Sequence, residues 1–170
     1  MDRICTLLFA SFIFFNLVAC KKSTDGDAVY NPIKFSQDTI CIRMPTAFTP
    51  NGDGRNDLVR VVTANGGITN FQLTITQTNG TAVYSSTDIH GAWDGTNGNG
   101  YHYTDYRYVV HLQLTIAGQN LDTYSNLYLL PSQQGCVHMV TADFDKYIFE
   151  DQLDIATCEV TYHTGEAFCN

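Results

Sequence analysis

The residues best equipped for chemistry in this chain carry oxygen or sulfur, and they fall into a few groups. The string Asn51-Gly52-Asp53-Gly54-Arg55-Asn56-Asp57 places four side chains with ligand oxygens, Asn51, Asp53, Asn56 and Asp57, in a glycine-rich loop. A hard cation such as calcium needs many oxygens on a flexible frame, which makes these four calcium candidates. Counted from Asn51, the twelfth position is Val62, so the bidentate Glu of an EF-hand loop is missing. Glycine reaches positive φ, and Asn and Asp bond local backbone, so the same string also reads as a turn, the preferred reading. Cys41, Cys136, Cys158 and Cys169 form an even set. In an oxidising compartment that predicts two disulfides, with all three connectivities open. A zinc site is less favoured, because no C-x-x-C pair exists and Cys158 to Cys169 is the nearest spacing. Asp143, Asp145, Glu150, Asp151 and Asp154 could pair for glycosidase work, but a solvated acidic face is the simpler expectation. His90, His102, His111, His138 and His163 are scattered and read as surface residues. No G-x-S-x-G, H-E-x-x-H or P-loop string occurs, so the expectation is a non-enzyme without a required cofactor.

A further reactive group lies near the start. Ile4 to Val18 is apolar, broken only by small or uncharged polar residues. It is shorter than the roughly 20 residues of a membrane span and fits the apolar region of an export signal. Leu17-Val18-Ala19-Cys20 then resembles the lipobox of bacterial lipoproteins. The resemblance implies that the Cys20 thiol receives a diacylglyceryl group and that cleavage falls just before it. Acyl chains at about 0.8 kcal/mol per buried CH₂ would hold the protein on a bilayer. Lys21 rather than Asp after the cysteine leans toward the outer membrane. The formal net charge of -8 argues against nucleic acid and against electrostatic binding to anionic lipid.

The elements that must carry these groups are strands. Phe71, Leu73 and Ile75 alternate with Gln72, Thr74 and Thr76. Tyr106, Tyr108, Val110, Leu112, Leu114 and Ile116 form a longer stripe, and Leu121 to Leu130 repeats the pattern less cleanly. Period-two alternation marks half-buried antiparallel strands, and Asn65-Gly66-Gly67, Asn79-Gly80 and Gly98-Asn99-Gly100 punctuate them as turns. The class is all-β, a sandwich. Trp93 before Asp94-Gly95 reads as a core plug at a turn rather than a sugar platform. Tyr106 and Tyr108 are expected in the core, with Tyr101 and Tyr103 partly exposed.

Several strings together resemble one family. Met44-Pro45-Thr46-Ala47-Phe48-Thr49-Pro50-Asn51-Gly52-Asp53-Gly54-Arg55-Asn56-Asp57 is similar to the opening of the gliding motility-associated C-terminal domain, the type B sorting domain of type IX secretion. Ile68-Thr69-Asn70-Phe71, Asn79-Gly80 with Val83-Tyr84, Trp93-Asp94-Gly95-Thr96, Asn99-Gly100 and Tyr106-Arg107-Tyr108 follow in the family's order. Thr78 stands where the family usually has Trp. The resemblance covers about residues 41 to 130 and implies an immunoglobulin-like antiparallel β-sandwich. That domain normally closes its polypeptide behind a large passenger. Here about forty residues follow it, so a free-standing module is expected rather than a cleaved tag.

The resulting organisation is a lipoprotein signal over 1–19, a lipidated N-terminus and tether over 20–40, the immunoglobulin-like domain over 41–131, and a disulfide-stapled extension over 132–170. The expected role is a non-catalytic outer-membrane lipoprotein, facing the cell surface, that engages envelope or type IX secretion-associated proteins. A calcium-dependent carbohydrate or surface-polymer module is the alternative, and a hydrolase subunit ranks behind it.

Overall fold

Alternation over 107–116 becomes a strand, β7 (Arg107–Ile116), whose even-numbered residues are all buried and whose odd-numbered ones are half-exposed. It lies at the centre of a five-stranded sheet in a computed structural model that describes residues 31–37, 39–64, 66–100, 104–133, 136–138, 147–161 and 163–169. The expected export signal, Cys20 and most of the expected tether lie outside the described residues. On one side β7 pairs with β5 (Ile68–Gln77), and on the other with β8 (Gln119–Leu129), both antiparallel. The hairpin joining β7 to β8 turns on Ala117 and Gly118, both at positive φ. That geometry matches the right-handed twist of the flanking strands. An edge strand, β6 (Ala82–Ser86), follows β5 through the Asn79-Gly80 turn. The opposite edge is β3 (Ala47–Phe48), which runs parallel to β8.

A smaller sheet faces this one, with order β1 (Lys34–Gln37), β2 (Ile40–Arg43) and β4 (Val62–Ala64). Ile33, Ile42, Met44 and Val61 from its side meet Leu73, Ile75, Tyr108, Val110, Leu112, Ile116 and Leu127 in one apolar core. Each fully buried aliphatic side chain contributes about 1.5–3 kcal/mol. The fold is therefore the all-β sandwich expected from the alternation. Strand pairing begins earlier than the expected boundary at residue 41: Lys34–Gln37 pairs antiparallel with β2, and Ile33 is buried. The strand is short and mostly exposed, so its alternation was too brief to separate it from a polar tether.

Trp93 closes the core as expected. It is 2% exposed, lies edge-on to Tyr108 at 5.1 Å and tilted to Phe48 at 5.5 Å, and donates its indole N–H to Thr96 O (3.0 Å). A Cβ on Gly95 would meet Leu129 and Phe48 side chains at 3.1 and 3.3 Å, and Gly95 has φ +79. The Trp-Asp-Gly-Thr string is thus a plug and a tight turn.

The extension after residue 131 builds a second core. Val137, Tyr147 and Phe149 are buried with Ala47 and Leu130, and Tyr106, Tyr128 and Phe168 pack around them. Tyr106 therefore sits half-buried in this second cluster rather than beside Tyr108 in the main core. Its hydroxyl bonds that of Tyr147. The extension also covers the β3 edge: Ile148 O accepts from Thr46 N–H (2.8 Å), and Ile148 N–H donates to Thr46 Oγ1 (2.8 Å). Covering an edge removes a template for unwanted pairing. Burial on both faces explains why Ser125, Asn126 and Leu127 are buried in succession and why β8 alternates poorly. The tail contributes two short pairings, β9 (Ser132–Gln133) with β10 (Cys136–Val137) and β11 (Leu153–Asp154) with β12 (Glu159–Val160). The alternative of one helix over 143–152 reduces, among the described residues, to a single 3-10 turn at Glu150–Gln152.

Candidate functional site

The loop Asn51–Asp57 is organised by its own acids. Asp57 Oδ1 accepts the N–H groups of Asn51 (2.9 Å) and Gly52 (2.6 Å), and its Oδ2 accepts that of Gly54 (2.7 Å). Asn51 Oδ1 accepts from Asp53 N–H, and Asp53 Oδ1 from Arg55 N–H. Gly52 and Gly54 have φ of 79° and 85°, conformations that cost a residue with a Cβ. Asn56, at φ 47°, is one of the non-glycine types that tolerate this region. Residues 51–55 stay exposed on this rigid frame while Asn56 turns inward.

The four calcium candidates therefore divide between the loop and the extension. Asn51, Asp53 and Asp57 face their own backbone amides. Asn56 is buried and looks the other way: its Oδ1 accepts from Asp151 N–H (3.1 Å), and its Nδ2 donates to Glu166 Oε1 (2.7 Å). The Asn51 and Asp53 contacts, each side-chain oxygen accepting the amide two residues on, are those of Asx-type turns.

A clasp from the C-terminal extension holds the loop from below. Glu166, 9% exposed, accepts from both Asn56 Nδ2 and Thr49 Oγ1 (2.7 Å). Arg55 Nη1 donates to Gly165 O (2.8 Å). Asp151 Oδ2 takes Thr164 Oγ1 and Gly165 N–H, fixing the segment that carries Glu166. Arg60 pairs with Glu150, its Nε donating at 2.9 Å. A separate contact ties the extension to β2, where the buried Arg43 forks onto the Cys158 carbonyl at 3.0 and 2.7 Å. Sequence reading missed Glu166, Asp151 and Thr49 as members of the site. Thr49 and Glu166 are 117 residues apart, and Asp151 reaches Asn56 across 95, separations that no local spacing reports.

The remaining sequence candidates are placed as follows. Two disulfides join Cys41 to Cys158 and Cys136 to Cys169, which selects one of the three open connectivities. Glu150, Asp151 and Asp154 each serve a separate local contact, with Arg60, with Thr164 and Gly165, and with Ala156 and Thr157. Asp143 and Asp145 lie outside the described residues, as do His102, Tyr101 and Tyr103. His111 stacks on Tyr124 at 4.1 Å and meets Asp122 Oδ1 at 2.7 Å. The hydrogen bonds from His111 and Gln113 hold the Asp122 carboxyl below its usual range. His90, His138 and His163 are exposed. The indole of Trp93 is too buried to serve as a sugar platform.

A family model, the CHU_C type IX secretion signal domain, matches residues 42–129. That span runs from β2 to the end of β8 and includes the whole Asn51–Asp57 loop. The family is a secretion-sorting module rather than a catalytic one, and it marks secreted or cell-surface proteins. No curated protein and no solved structure matches the chain. With just over half of the 170 residues inside the matched span, the chain belongs to the type IX secretion signal domain family.

Proposed function

We propose that the protein is a non-catalytic lipoprotein of the outer membrane, anchored through acylated Cys20, whose sandwich recognises other envelope or type IX secretion-associated proteins at the cell surface. One observation carries this reading. The family's most specific string forms an exposed loop whose shape is already set by three amides on Asp57 and by Glu166 beneath it. A loop held in one conformation loses little entropy on meeting a partner, which suits recognition. Its acids are occupied as acceptors for backbone amides, an arrangement suited to shape rather than to proton transfer.

The test uses cells with a working type IX system that express the full chain. Labelling with a clickable palmitate analogue is expected on the native protein and lost in Cys20→Ser. Protease added to intact cells is expected to degrade the domain while a periplasmic control survives, and a type IX mutant is expected to protect it. Label retained in Cys20→Ser would remove the anchor from the proposal. Protection of membrane-bound protein in secretion-competent cells would turn the domain toward the periplasm and overturn surface recognition.

A further inference from the structure

The last residues of the chain return to β10. Val137 N–H donates to Ala167 O (2.7 Å), and Cys169 N–H donates to Val137 O (3.1 Å), making Val137 and Phe168 parallel bridge partners. Side chains alternate across extended backbone. Val137 and Phe168 enter the second core, so Cys136, His138 and Cys169 share the opposite, outward side. Their ligand atoms, two Sγ and one imidazole nitrogen, all lie within 4.8 Å of one another. The backbone of His138 is fixed by its N–H donating to Pro131 O (3.0 Å). Both cysteines of this bridge are partly exposed and His138 is exposed, whereas Cys41 and Cys158 are 2% and 4% exposed. Thiol exchange requires access to sulfur, so a soluble reductant meets the Cys136–Cys169 bridge first.

We propose that the Cys136–Cys169 disulfide is a reducible switch whose dithiol form binds one zinc ion through Cys136 Sγ, Cys169 Sγ and His138, with water as fourth ligand. Thiolate sulfur and imidazole nitrogen are the donors zinc prefers, at about 2.3 and 2.0 Å. Tetrahedral placement at those lengths needs donor atoms about 3.3–3.8 Å apart; the three atoms already lie within 4.8 Å of one another, and cleavage of the S–S bond lets the two sulfurs separate to that spacing. A dithiol reductant delivers two electrons and two protons to the S–S bond, forming two thiols and its own disulfide. Zinc then displaces one proton from each thiol and stays divalent. An oxidant disulfide takes the two electrons back, restores the Cys136–Cys169 bond and releases the ion. Nothing in the chain spacing announces this set, because Cys169 reaches the Cys136-Val137-His138 segment only through the Val137–Phe168 bridge.

The test uses the full chain with Cys5→Ser and Cys20→Ser, so that only the four domain cysteines remain. After mild dithiothreitol treatment and removal of the reductant, alkylation with peptide mapping is expected to find Cys136 and Cys169 free and Cys41 and Cys158 still joined. Competition with a chromophoric chelator is expected to show one zinc per reduced chain and none per oxidised chain. His138→Ala should weaken zinc binding at least about tenfold, since loss of even an outer-shell partner costs that much. Zinc should also slow reoxidation by oxidised glutathione in the native chain but not in His138→Ala. Absence of zinc uptake by the reduced chain, or equal affinity in His138→Ala, overturns the proposal. If reduction loosens the extension, recovery of protease resistance on adding zinc supports it, and failure to recover overturns it.

Discussion

Removing the Cys41–Cys158 cross-link by the double change Cys41→Ser and Cys158→Ser should be the most destabilising simple alteration of this fold. The bond spans 117 residues. The chain-entropy expression for a closed loop of that length gives about 4.9 kcal/mol at room temperature. Two hydroxyls placed at residues only 2% and 4% exposed add about 1 kcal/mol or more unless they find acceptors. The fork from Arg43 to the Cys158 carbonyl uses backbone and survives the substitution, so the cross-link is the main thing lost. The Cys136–Cys169 bond spans 33 residues, and the same expression gives about 3.7 kcal/mol. Against a net stability of about 5–15 kcal/mol for a typical domain, the first change consumes a third or more. Urea unfolding followed by the fluorescence of Trp93, the chain's single tryptophan and a core residue, reports it directly. The midpoint should fall for both double-serine variants, further for the 41–158 pair, and the slope should rise as the unfolded chain opens. A loss below about 1 kcal/mol for the 41–158 pair, or the reverse order, would refute the idea that this bond ties the extension to the sandwich.

Asp57→Ala should cost about 1.5–3 kcal/mol, because three loop amides lose a charged acceptor at a partly solvated site. Calcium should leave the thermal midpoint of the native protein unchanged, and a calcium-dependent rise that disappears in Asp53→Ala would restore the cation reading. Glu166→Ala should lower stability by about 2–4 kcal/mol by stranding Thr49 Oγ1 and Asn56 Nδ2. Glu166→Gln, which keeps an acceptor, should recover part of this in the same thermal assay, and an unmoved midpoint in Glu166→Ala would sink the clasp. The Thr157 hydroxyl, then the Ala156 amide, hold the Asp154 carboxyl below its ordinary 3.8. A depressed folded value means the contribution is present above the unfolded pKa and is lost as pH falls through the folded one. An NMR titration should show Thr157→Val moving Asp154 back toward 3.8, and no movement would contradict the assigned cause.

What the sequence alone determined was local in origin. The stripes at Phe71–Ile75 and Tyr108–Ile116 set the strands and their inward faces, because a period of two needs only neighbours to be read. The Asn79-Gly80 turn, the Trp93 plug and the self-bonded Asn51–Asp57 loop were legible for the same reason, as was the family through its ordered strings. Only the tertiary structure decided how the extension joins the domain. Four cysteines admit three pairings until Cys158 is seen against β2 and Cys169 against β10. Glu166 looks like any acid near a chain end until Thr49 and Asn56 surround it. The poor alternation of β8 becomes intelligible only when a second core is found behind it, around Tyr147 and Phe149. His138 acquires two sulfur neighbours only because a parallel bridge brings residue 168 beside residue 137. Each of these depends on contacts between distant stretches of chain, whose formation is governed by burial and loop closure over the whole molecule rather than by any window of sequence.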